Sequence, residues 1–120
     1  MTWLLRVLVA LVIASTVLSA CDRWEGVTVR NDTERSLTVR VSWQREGMRE
    51  AEIQAVELAP GATRDVGKIG GPPDAWPDII VRAYETAGAL VYCHRFTAQD
   101  QKNVYGRSTV RLTVGDLRCG

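Results

Sequence analysis

From Val27 onward the chain alternates apolar and polar residues. Val27-Thr28-Val29-Arg30 does so briefly, and Leu37-Thr38-Val39-Arg40-Val41-Ser42-Trp43 does so over a full strand length. Leu37, Val39, Val41 and Trp43 share one face, and Thr38, Arg40 and Ser42 share the other. A period of two with β-branched residues predicts half-buried strands. Between them, residues 31–36 (NDTERS) supply turn chemistry. Arg45-Glu46-Gly47 reads as the next hairpin turn, with Gly47 free to take positive φ. Residues 48–58 (MREAEIQAVEL) fit two patterns. Met48, Ala51, Ala55 and Leu58 make a helical stripe; Gln54, Val56 and Leu58 make a strand alternation. The strand is favoured, because both neighbours are strands and Pro60-Gly61 turns the chain directly after it. Thr63 to Ile69 is a short edge strand. Residues 70–77 (GGPPDAWP) form a loop, since their prolines cannot donate to a ladder. Asp78 to Tyr84 and Ala89 to Phe96 are strands joined by a turn at Glu85-Thr86-Ala87-Gly88. The second is apolar on both faces at first, which places it centrally. Thr97-Ala98-Gln99-Asp100 reads as a capping box opening a single helical turn. Arg107 to Val114 closes the chain as a strand, with Val110, Leu112 and Val114 facing in. The class is all-β, and about seven short strands suit a small antiparallel β-sandwich.

The first twenty residues follow a different rule. Arg6 is followed by the unbroken apolar run Val7 to Ala14 (VLVALVIA), then by the smaller and more polar residues 15–20 (STVLSA). That is the order of a secretory signal, expected as an N-terminal signal helix. A membrane-spanning helix needs about 20 apolar residues, and Arg6 and Ser15-Thr16 leave the core too short. Leu18-Ser19-Ala20-Cys21 then closes the segment. It resembles the lipobox of bacterial lipoprotein precursors: a branched apolar residue, two small residues and the cysteine, at the right distance from the N-terminus. The resemblance covers residues 1–21. It implies lipid attached to the Cys21 sulfur, palmitate-like acyl chains in the membrane, and cleavage before Cys21. The protein would face the periplasm or the cell exterior from a cell membrane. Asp22 implies retention at the inner membrane, if the host has two membranes. The domain organisation expected is therefore a signal over 1–20, anchor and linker over 21–26, and a β domain over 27–120. The strand count of that domain resembles immunoglobulin-like sandwiches in general terms, without the Cys–Trp–Cys spacing of true immunoglobulin domains.

Composition narrows the function classes. The chain has 15 Lys+Arg against 14 Asp+Glu, and loss of Arg6 with the signal leaves 14 against 14. A neutral domain has no electrostatic footprint for nucleic acid and no polybasic stretch for anionic lipid, so membrane attachment rests on the acyl chains. Of the three cysteines, the lipobox resemblance implies that Cys21 is taken by lipid. The remaining two, Cys93 and Cys119, form one disulfide in an oxidising compartment or stay as free thiols; the even remainder favours the disulfide. There is no Cys-x-x-Cys, and one histidine cannot build a zinc site with spaced ligands. No metal and no cofactor are expected.

No catalytic constellation stands out. His94 adjoins Cys93, which invites a Cys/His nucleophile. Neighbours on a strand point to opposite faces, so the two side chains diverge, and the histidine reads as a surface strand residue. Residues 67–71 (GKIGG) lack the spacing of a phosphate loop. Charges are scattered and interleaved, as on a solvated face. Trp43 belongs to the core by its place on the apolar face. Trp76, flanked by prolines, is the candidate contact residue; the competing reading makes it a plug folded over the sandwich edge. The expected function is a non-catalytic envelope binding or structural module with an envelope protein as partner. The alternative is a small envelope enzyme inhibitor, or an enzyme, acting through the loop 70–77.

Overall fold

A computed structural model describes residues 25–69, 75–104 and 108–119. The expected signal helix, the lipid-attachment residue Cys21, the linker up to Trp24 and loop residues 70–74 lie outside the described residues. The described chain is a two-layer β-sandwich. Its strands are β1 (Glu25–Asn31), β2 (Leu37–Gln44), β3 (Ala51–Leu58), β4 (Thr63–Ile69), β5 (Asp78–Glu85), β6 (Leu90–Phe96), β7 (Thr109–Leu112) and β8 (Asp116–Arg118). One helix, α1 (Ala98–Val104), follows β6. The smaller sheet has the order β4-β1-β7 and the larger one β3-β2-β5-β6-β8.

The alternation seen along the chain becomes the division between core and surface. Val27, Val29 and Val66 of the small sheet meet Val39, Val41, Ile79 and Val81 of the large one, all fully buried. Each such side chain contributes about 1.5–3 kcal/mol when removed from water. Residues 48–58 resolve in favour of the strand: β3 pairs antiparallel with β2, Val39 opposite Val56 and Leu37 opposite Leu58. The hairpin turn forms at residues 45–48, where the Met48 N–H donates to the Arg45 carbonyl at 3.0 Å and Gly47 has φ 75°. The capping box is also formed. The Thr97 N–H donates to Asp100 Oδ2 at 3.0 Å, and the Asp100 N–H to Thr97 Oγ1 at 3.2 Å. The helix it opens runs to Val104 rather than stopping after one turn.

Three features depart from the sequence expectation. Two pairings are parallel: β7 lies beside β1, and β8 beside β6. The final strand is also shorter than expected. It ends at Leu112, leaving Val114 64 % exposed instead of facing in. The cause is a change of sheet. The chain leaves the small sheet, turns at Gly115 (φ 93°) with the Gly115 N–H donating to the Val91 carbonyl at 2.8 Å, and adds β8 to the edge of the large one. That turn makes eight strands among the described residues. Trp43, expected in the core, is only partly buried and packs at its margin.

Two buried amides tie the connections down. Asn31 is fully buried at the end of β1. Its Nδ2 donates to the carbonyls of Arg35 (2.7 Å) and Leu58 (2.9 Å), and its Oδ1 accepts from the Thr33 N–H (2.9 Å) and hydroxyl (2.6 Å). One side chain thereby joins the β1–β2 connection to the end of β3. Asn31→Ala should cost about 2–3 kcal/mol, because it leaves carbonyl acceptors without a donor in a dry site. Urea denaturation measures this; a loss no larger than that of an exposed substitution would show that the node carries nothing. Gln101 of α1 plays the same part at the opposite end, donating to the carbonyls of Pro77 (2.7 Å) and Phe96 (3.1 Å).

Candidate functional site

The two ends of the sandwich are distinct. One end gathers the β2–β3 hairpin, the approach to β5, the end of β6 and helix α1. Here Gln44, at the end of β2, is opposite Asp78, at the start of β5. An open cleft of about 800 Å³ lies between residues 44–47 on one side and Trp76, Pro77, Asp78 and Arg95 on the other. The Arg95 guanidinium crosses it, donating from Nη1 to Asp78 Oδ2 (3.1 Å) and from Nη2 to Gln44 Oε1 (2.9 Å). Arg45 is braced from two directions. Its Nη1 donates to the Ala75 carbonyl at 2.6 Å, and its guanidinium carbon is 5.4 Å from the centroid of the Trp43 ring. Cation–π contact of this kind contributes about 0.5–1 kcal/mol at an exposed site.

Trp76, the residue singled out from the sequence, lines this cleft but is half-buried and packs against the core. Its indole therefore has a structural role at the sandwich edge, as the plug reading expects, and presents only part of its surface. Ala75 beside it is exposed. Sequence reasoning missed the polar members of the cleft, Gln44, Arg45, Asp78 and Arg95. They come from three separate segments, and only the β2–β5 and β5–β6 registers bring them together. The hairpin signal at 45–47 was the one legible hint.

At the other end a smaller cleft of about 410 Å³ lies among Asp32, Arg35, Glu85 and Val114. Three of the charged residues that line it are paired: Arg35 with Glu85 at 3.4 Å, and Asp32 with Arg30 at 3.0 Å and Arg111 at 3.5 Å. The outer face of the large sheet is likewise laced with ion pairs. Arg82 holds Glu50 through both carboxylate oxygens, the second at 3.2 Å, and Arg40 holds Glu52 at 2.9 Å. The Arg82 hydrogen bond keeps the Glu50 carboxyl below the usual carboxylate range. Such half-exposed pairs contribute little stability each, and the surface they make is the solvated charged face that the interleaved sequence implies.

Cys93 and Cys119 are joined as a disulfide, with Cα atoms 5.2 Å apart. Cys93 faces the outside of the large sheet, in register with Arg82, and is buried beneath the bond. His94 points the other way. It is half-buried rather than on the surface, tilted against Phe96 with ring centroids 4.4 Å apart and 58° between the planes, and its Nδ1 is buried without a hydrogen-bond partner. The two side chains diverge as the alternation requires. The neighbouring Tyr92 hydroxyl is pushed up to about 12, first by burial and then by the Asp116 carboxylate. Among the described residues, no three His, Cys, Asp or Glu side chains converge as a metal site, and no helix is long and apolar enough to cross a membrane. Comparison with protein-family models, with curated proteins and with solved structures finds no match.

Proposed function

We propose that this protein is a lipid-anchored bacterial envelope lipoprotein whose β-sandwich acts by contact, without catalysis, on an envelope protein close to the membrane. The observation that carries this reading is the sequence Leu18-Ser19-Ala20-Cys21 placed directly before a small β domain. The mature chain begins strand β1 only four residues after Cys21. At about 3.3–3.6 Å per residue, the domain is held within roughly 14 Å of the acylated residue. A partner therefore has to lie near the same surface.

The cleft beside Trp76 is the contact site this reading favours. It combines a partly exposed aromatic residue with two braced arginines, the residue types that dominate binding hot spots. Because Trp76 also supports the core, an in-cell test is better placed one residue away. A photo-crosslinking amino acid at Ala75 should capture a specific envelope protein, while the same probe at Ala87, in the β5–β6 turn, should not. Failure to capture any protein at position 75, together with turnover of an envelope substrate by the purified protein, would overturn the contact model.

A further inference from the structure

The register across the sandwich shows at which end of the domain β1 begins. A Cβ on Gly67 of β4 would meet Ile79 Cγ2 at 3.2 Å and Val41 Cγ1 at 3.3 Å, so Gly67 is level with Val41, in the second half of β2, and Ile79, near the start of β5. On its other side, β4 runs antiparallel to β1, with Ile69 opposite Glu25 and Val66 opposite Val27. Gly26 is therefore level with Val41 and Ile79. β1 therefore begins toward the end that carries the β2–β3 hairpin, whereas its last residue, Asn31, meets Leu58 at the other end. The opposite end holds the turns 32–36 and 86–89.

The hairpin tip at this end has an unusual make-up. Met48 is 58 % exposed and is flanked by exposed Arg45 and Arg49. It is held out rather than left loose. The Met48 N–H donates to the Arg45 carbonyl, the Gln44 amide donates to the Met48 carbonyl at 3.1 Å, and Arg45 is itself fixed to the Ala75 carbonyl. Lys68, exposed on β4 beside Gly26, adds a further cation at the same end. Glu46 is the opposing charge at the tip, while Glu50 is taken by Arg82 and Asp78 by Arg95.

We infer that the tip of the β2–β3 hairpin, residues 45–49, rests on the anionic phospholipid surface beside the anchor, with Met48 among the acyl-chain boundary and Arg45 and Arg49 on headgroup phosphates. This rests on the lipoprotein reading. A four-residue tether leaving the hairpin end of the sandwich brings that end, and not the far turns, to the bilayer. The exposed thioether then gains apolar surroundings, and the two guanidinium groups gain phosphate acceptors. The cleft at Trp76 consequently opens at the level of the headgroups.

The test uses the full chain, matured by its host and reconstituted in vesicles of phosphatidylglycerol and phosphatidylcholine. In a Met48→Cys variant the introduced thiol is the only one open to a maleimide fluorophore, because Cys21 is acylated and Cys93 is bonded to Cys119. Ala87→Cys on the far turn is the reference. Lipids brominated in the acyl chain should quench the label at position 48 several-fold more than at position 87. Arg49→Gln in the Met48→Cys background should weaken that contact about fivefold at low salt, and vesicles of phosphatidylcholine alone, which lack the negative surface potential, should weaken it at least as much. Equal quenching at the two positions, with acyl mass confirmed on Cys21, would overturn the orientation and leave the anchor reading intact. Shielding of position 48 by a protein in cells, without quenching in vesicles, would also overturn it. Absence of acyl mass on Cys21 would remove the orientation and the anchor reading together.

Discussion

Cys21→Ser should convert a membrane-bound protein into a soluble or uncleaved precursor. The serine hydroxyl cannot form the thioether to diacylglycerol, and cleavage before residue 21 depends on that step. The expected effect is large because anchoring by acyl chains is steep in chain number. Each buried methylene contributes about 0.8 kcal/mol, so a single chain binds marginally while two or three hold a protein durably. The protein's own charges cannot replace them, since the chain carries 15 Lys+Arg against 14 Asp+Glu. In the proposed orientation, a hairpin tip with two arginines steers a tethered domain but does not retain a free one. Fractionation of cells, with a mass spectrum of the N-terminal peptide, measures the outcome. An unmutated protein that is found in the soluble fraction and carries no acyl mass would sink the lipoprotein reading.

Loss of the Cys93–Cys119 bond is the largest effect expected on stability. The bond spans 26 residues, and closing a loop of that length contributes about 3.5 kcal/mol in the chain-entropy description. Little else holds the C-terminal segment. Strand β8 has three residues, its Leu117 is 55 % exposed, and its one ladder is with β6. Cys119→Ser should therefore release β8 and lower Tm by roughly 15 °C, at about 4–8 °C per kcal/mol for a domain of this size. It should also uncover the outer edge of β6, an open row of backbone donors and acceptors of the kind that pairs with other chains. Calorimetry of the oxidised wild type and the variant decides the point, and size-exclusion chromatography reports any association. A Tm unchanged by the substitution would show that β8 holds without the sulfur bridge. Labelling of Cys93 or Cys119 in the folded, unreduced protein would exclude the bond itself.

The seven longer strands were legible because alternation is a property of each segment alone. Val27 and Val29, or Leu37, Val39 and Val41, show their buried face without reference to any partner. The turns at Gly47 and Gly61 and the capping box at Thr97 and Asp100 were legible for the same reason. Each is a local contact among residues three or four apart. The two-cysteine remainder pointed to the disulfide by parity, but its geometry was not readable. A hairpin of the last two strands would have put Cys93 opposite a residue near Thr109; the structure instead sends Thr109–Leu112 to the other sheet and brings Leu117 beside Cys93. Strand pairing is chosen by apolar surface that only the assembled layers bury, so neither the parallel pairs nor β8 could be read from period two. Polar residues were the hardest to place. Asn31 sat in a run of turn formers and Gln101 in a polar helix, yet both are fully buried because distant carbonyls, of Leu58 and Pro77, happen to converge on them. Arg95 and Asp78 meet across a cleft for the same kind of reason. Local chemistry therefore dictated strands and turns, whereas sheet order, buried amide partners and the cleft arose only when segments far apart in the chain came to share one surface.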